Sequence, residues 1–141
     1  MKKVFSIIVL VTIVSFSCKT EKDTRYQPTQ MERVMAIHDE VMPKMGTIGK
    51  LVAELKPKVD TTTTGLAYKQ AMIDLQDAHT SMMDWMKGFG DRFDHEEILK
   101  GKPLNTQKQQ WLDEEEVKVK EMKEKVNSSI SKAQKLLEKK N

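Results

Sequence analysis

A chain of 141 residues with 24 basic side chains, 21 acidic ones and a single cysteine is long enough for one domain with a modest core. One cysteine rules out an internal disulfide framework. Without Lys2 and Lys3 the 24 basic residues become 22 against 21 acidic ones, and no basic stripe interleaved with aromatics marks a nucleic-acid binder.

The N-terminus comes first. Met1-Lys2-Lys3 is followed by an apolar run from Val4 to Phe16, interrupted by Ser6, Thr12 and Ser15. A basic start, an apolar stretch too short to span a bilayer and a small residue at its end describe a secretory signal over residues 1–17. Ser17-Cys18 resembles the lipobox of bacterial lipoproteins in its relaxed form, with Ser15 where leucine is commonest. Cys18 is therefore the expected lipid acceptor. Two or three fatty acyl chains there, palmitate among them, anchor stably where one chain is marginal. Residues 18–28 are polar and read as a flexible tether between the lipid and a domain at 29–141. The expected address is the cell envelope, at the outer membrane, with the membrane as first partner.

Beyond the tether, Thr29 and Glu32 have capping-box spacing and open a helix. A seven-residue repeat follows, with Met31, His38, Met45 and Val52 at position a and Val34, Val41, Ile48 and Leu55 at d. Pro43 lies inside it and is expected to kink the helix, since it has no N–H for the Asp39 carbonyl. Pro57 to Gly65 reads as a loop whose last threonines cap the next helix. Within it, Asp60-Thr61-Thr62 resembles an acceptor for O-glycosylation at Thr61; a plain polar loop with a helix cap is the competing reading. The second repeat is read with Met72, His79, Met86 and Phe93 at a, and Tyr68, Leu75, Met82 and Phe89 at d. Gly88 and Gly90 are expected to weaken the helix near its end. Asp91 to Pro103 is then irregular, with one short turn at His95–Leu99. A third helix starts near Asn105 or Thr106 and runs to about Leu137, its apolar stripe interrupted by Glu115 and Ser129. No strand pattern is present. The expected fold is all-α, an antiparallel, coiled-coil-like three-helix bundle.

The segments His38-Asp39-Glu40-Val41-Met42-Pro43-Lys44-Met45 and Met82-Met83-Asp84-Trp85-Met86 resemble a family of small uncharacterised helical lipoproteins of Bacteroidetes-type bacteria, often labelled "viral A-type inclusion protein". The resemblance implies the envelope address and the helical fold. It implies no active-site residues.

The sharpest chemical feature is a set of imidazoles and thioethers. A hairpin folded about residue 60 would set His38 beside Met82 and Val41 beside His79, bringing Met35, His38, Met42, His79, Met82 and Met86 into adjacent core layers. Soft thioether sulfur selects Cu(I), imidazole accepts it, and a His/Met pair can also ligate a haem. Against this stand plain core packing, for which methionine is well suited, and a histidine that destabilises the fold when it must charge. No Glu stands three residues before His38 or His79, so a di-iron site is excluded. No Gly-x-Ser-x-Gly and no phosphate loop occurs, and the carboxylates fall on solvated faces, so no catalytic residue is assigned and the chain is read as non-enzymatic. The reading from sequence is a lipid-anchored helical module with a structural or protein-interaction role, meeting an envelope protein or a second copy through the polar-interrupted third helix. The alternative is copper(I) or haem binding through His38, Met42, His79, Met82 and Met86.

Overall fold

A computed structural model describes residues 26–138; the signal, Cys18 and most of the tether lie outside the described residues. Among the described residues there is no strand, and the helices are α1 (Gln30–Val41), α2 (Lys44–Leu55), α3 (Thr63–Arg92), α4 (His95–Leu99) and α5 (Thr106–Glu138). No helix here is long and apolar enough to cross a membrane.

Local chemistry sets the ends of each element. The Thr29 hydroxyl accepts from the Glu32 N–H at 3.2 Å, and the Glu32 carboxylate accepts from the Thr29 N–H at 2.7 Å, closing the expected capping box. Pro43 does more than kink the first rod. It divides the rod into α1 and α2, with Met42 still donating to the His38 carbonyl at 2.8 Å and Met45 bonding back to Met42 across a tighter turn. The rod stays continuous in its packing: Val34, Val41, Ile48 and Leu55 are all buried, so the seven-residue register survives the break.

After a 3-10 turn at Lys56–Lys58, the Thr62 hydroxyl caps α3 by accepting from the Gly65 N–H at 3.0 Å. The Asp60 carboxylate accepts from the Thr62 N–H at 2.9 Å and presses against Gly65. A Cβ there would lie 1.8 Å from Asp60 Oδ1 and 2.6 Å from the Asp60 backbone nitrogen, so only glycine fits. The Asp94/Glu97 capping box starts α4 at the expected place. Asn105 rather than Thr106 caps α5, its side chain accepting from the Lys108 N–H at 2.9 Å.

Three rods result. From α1 and α2 to α5 the partners advance together, 83 residues apart in Gln30–Asp113, Glu40–Lys123 and Lys44–Asn127, so these rods run parallel. From α3 to α5 they run in opposite senses, through Arg92–Glu114, Ser81–Lys125 and Asp74–Lys132. This is the expected up-down-up, all-α bundle.

Two details of the third-helix and second-helix readings change. The buried seam of α3 is Tyr68, Ala71, Leu75, Ala78, Met82, Trp85 and Phe89, spaced alternately by three and four. Position d is as expected, but its companion is the residue before the expected a position. Met72, His79 and Met86 therefore sit one position off the seam, Met72 half-buried and His79 and Met86 exposed. The helix also runs unbroken through Gly88 and Gly90. Trp85 stacks on Phe89 and Phe89 meets Phe93 at a tilt, each pair with centroids 4.8 Å apart, and that packing outweighs the poor helix propensity of glycine.

On α5, Glu115 and Ser129 do not interrupt the stripe. They belong to it, buried in the series Leu112, Glu115, Val119, Met122, Val126, Ser129 and Ala133. Ser129 satisfies its hydroxyl on the Val126 carbonyl at 3.0 Å. Glu115, with its side chain 3% exposed, accepts from Arg92 Nη1 and Lys118 Nζ, each at 2.9 Å. The stripe of the third helix is thus spent inside the bundle.

Candidate functional site

The methionine and histidine residues divide between the seam and the flank of α3 and the α1/α2 rod. Met82 is fully buried at the centre of the seam. His38 lies at its edge: the side chain is 14% exposed, its ring stacks on the Trp85 indole with centroids 5.7 Å apart, and Nδ1 lies 2.9 Å from Asp39 Oδ1. His79 is exposed, and Met42 and Met86 are 38% and 37% exposed. The expectation that these three turn inward does not hold. The reason is the seam itself. Small Ala71 and Ala78 and large Trp85 take the inward positions, which turns their neighbours Met72, His79 and Met86 outward by about 100° of helix rotation.

The pairing of His38 with Trp85 also moves the register by three residues, close to one turn, from the expected partner Met82. One compact ligand set of His38, Met42, His79, Met82 and Met86 is not formed. A porphyrin between these helices would have to occupy the layer that Val34, Val41, Leu75 and Met82 fill completely. Among the described residues no three of His, Cys, Asp and Glu gather as a metal site. Thr61 is exposed in the turn between the 3-10 segment and α3, where the Asp60–Thr62 bonds make the polar helix-capping loop.

Two residues on this flank escaped the reading of periodicity. Met83, 36% exposed, lies beside Met86 on the same side of α3. Trp85 is the platform for His38. The signal for it was present in the three-four spacing through Ala71 and Ala78, which hydropathy alone underweights.

On the opposite side of Trp85, α3 and α5 enclose an open groove of about 460 Å³, lined by Ser81, Asp84, Gly88, Glu115 and Lys118 among others. The Trp85 indole N–H is buried without a hydrogen-bond partner. Charged pairs bind the rods elsewhere. Lys123, at 2.6 Å, holds the Glu40 carboxyl below its usual range and ties α1 to α5. Lys120, four residues on in α5, and Gln30 of α1 likewise lower the Glu116 carboxyl, and Gln30 adds a second tie between the rods. Lys108 at 2.6 Å and the Asp94 N–H lower the Glu97 carboxyl and dock α4 on α5. Arg92 bonds Glu114 at 2.7 Å and lies 5.5 Å over the Trp111 ring.

No family model, no curated protein and no solved structure matches this chain. Roles for its residues therefore come from their own chemistry and placement.

Proposed function

We propose that this protein is a lipid-anchored helical module of the cell envelope, at the outer membrane, that binds another envelope protein through the methionine-rich flank of α1 and α3. The resemblance to the Bacteroidetes-type lipoproteins and the Ser17-Cys18 motif support the anchor. The observation that carries the binding role is where the unused apolar surface lies. The seam residues of all three rods are consumed in the core, whereas Met42 on α1 and Met83 and Met86 on α3 each stay more than a third exposed; Leu66, Leu99 and Val117 are more exposed still but stand singly along the chain. Methionine is flexible and polarisable, which suits a surface that must adapt to a partner.

The tether favours a defined presentation of that flank. Arg33 Nη1 donates to the Pro28 carbonyl at 2.9 Å and the Tyr26 hydroxyl donates to Glu32, so the chain leaving toward Cys18 is fastened to the first turn of α1. The α1 N-terminus and α4 then lie at the membrane end, and the Thr61 turn at the far end.

Two experiments test the reading. Cys18→Ala should move the protein from the membrane fraction to the soluble one; unchanged fractionation refutes the anchor. A photo-crosslinking residue at position 83 or 86 should capture one reproducible envelope protein in intact cells, while the same probe at exposed Gln134 on α5 should not. Equal capture at the two places refutes the assigned surface.

A further inference from the structure

We propose that the corner after α4 rests on the bilayer, with Leu99 entering the lipid interface at the end of the bundle from which the tether leaves. This inference rests on the lipid anchor proposed above for Cys18 and adds a second contact with the same membrane.

The corner holds an apolar side chain outward. In α4 the two aliphatic residues part company: Ile98 packs half-buried against the core, whereas Leu99 is 66% exposed, more than any other leucine among the described residues. This is not a fraying end. The Lys100 and Lys102 N–H groups both donate to the Glu96 carbonyl, at 2.9 and 3.2 Å, and Gly101 closes the turn at φ 67°, a conformation that glycine adopts without strain. Lys108, 2.6 Å from Glu97, fixes α4 to α5. A rigid corner thus carries Leu99 into solvent.

Its place decides the occupant. The corner and the start of α1 share a cavity of about 150 Å³, with Thr29, Gln30 and Met31 on one side and Gly101, Lys102 and Leu104 on the other. The corner therefore stands where the chain leaves for Cys18. Tyr26, 67% exposed, marks that exit, and tyrosine rings collect at lipid–water interfaces. Only residues 18–25 lie between, so this end of the bundle stays within about 30 Å of the lipid. Over so short a link the bilayer is presented at an effective concentration on the order of millimolar, and a contact too weak to hold a free protein is filled. Leu66, also exposed, lies near the opposite end of α3, about 40 Å away along the helix axis, and has no such surface within reach.

The contact is apolar rather than ionic. Lys100 and Lys102 pair with Glu96 and Asp94 at 3.4 to 3.6 Å, so these four charges cancel. The two lysines lay their methylene stems along the interface and keep their ammonium groups in water.

In the full lipidated chain Cys18 is blocked, so an introduced cysteine is the one free thiol. A nitrobenzoxadiazole probe on Lys100→Cys, in phosphatidylethanolamine/phosphatidylglycerol vesicles with doxyl-labelled acyl chains, should be quenched roughly twofold more than the same probe on Lys58→Cys, an exposed lysine at the opposite end. Adding Leu99→Ser to Lys100→Cys should remove about half of that excess while far-UV circular dichroism stays unchanged. Salt at about 0.5 M should leave the excess in place, since it screens only charges. A protein that fails to float with the vesicles refutes the anchor, and this contact with it. Flotation with equal quenching at the two positions, with quenching unchanged in Leu99→Ser, or with the excess abolished by salt overturns the contact and leaves the anchor standing.

Discussion

The Arg92–Glu115–Lys118 cluster allows a prediction in which two substitutions of one ion pair act with opposite signs. Glu115 stands in the apolar seam of α5 with its side chain 3% exposed, while Arg92 is 27% and Lys118 50% exposed. Arg92→Met removes the better-placed of its two cations. Losing one partner of a buried pair costs roughly 3–5 kcal/mol when the remaining charge is left alone. Here Lys118 remains at 2.9 Å, and its half-exposed position weakens its help, so the expected loss is about 2 kcal/mol.

Glu115→Leu is the converse. It removes the buried charge and supplies an apolar side chain between Leu112 and Val119, while Arg92 keeps Glu114 at 2.7 Å and the Trp111 ring. Replacing a buried ion by a fitting hydrophobe ranges from neutral to about 2 kcal/mol stabilising. Urea unfolding of the full chain followed by circular dichroism reads both from the midpoint at constant slope. A neutral Arg92→Met, or a Glu115→Leu protein weakened by more than about 1 kcal/mol, refutes the view that Glu115 is tolerated in the seam only because Arg92 reaches it.

Three further outcomes are expected. Gly65→Ala should lower stability by about 2 kcal/mol although alanine favours helix by about 1 kcal/mol, because the new methyl meets both the carboxylate and the backbone nitrogen of Asp60; adding Asp60→Ala should rescue it only in part, as thermal melts will register. Leu75→Ala, at a fully buried seam position, should cost about 2–5 kcal/mol, whereas His79→Ala should leave the melting temperature within a degree or so, since the ring is exposed. Lys123 and Lys120 hold the Glu40 and Glu116 carboxyls below their ordinary 4.5, so their stabilisation is complete above pH 4.5 and is lost as pH falls through the lowered folded values; the melting temperature should drop on that acid side, and Lys123→Ala should flatten the decline.

What could be read from the chain alone was whatever a few neighbouring residues decide. Thr29 with Glu32 closes its capping box, and Pro43 breaks the rod because a missing N–H is missing in any fold. The short helix at His95–Leu99, the turn after Pro57 and the three long amphipathic stretches follow from the same local rules, and with short connections they leave an up-down-up bundle as the natural packing.

Which face of each stretch turns inward was decided only between helices. Hydropathy marks Met72, His79 and Met86 as readily as their neighbours, but the alanines at 71 and 78 let the helices approach, and Trp85 fills the layer that results. Glu115 looks like an interruption until Arg92, 23 residues away on another helix, is seen to reach it. A side chain's propensity is its own. Its burial depends on what stands across the interface, and that partner is distant in the chain. For this reason the caps and the period were legible in advance, while the frame of the seam, and with it the stacking of His38 on Trp85, was settled by tertiary packing.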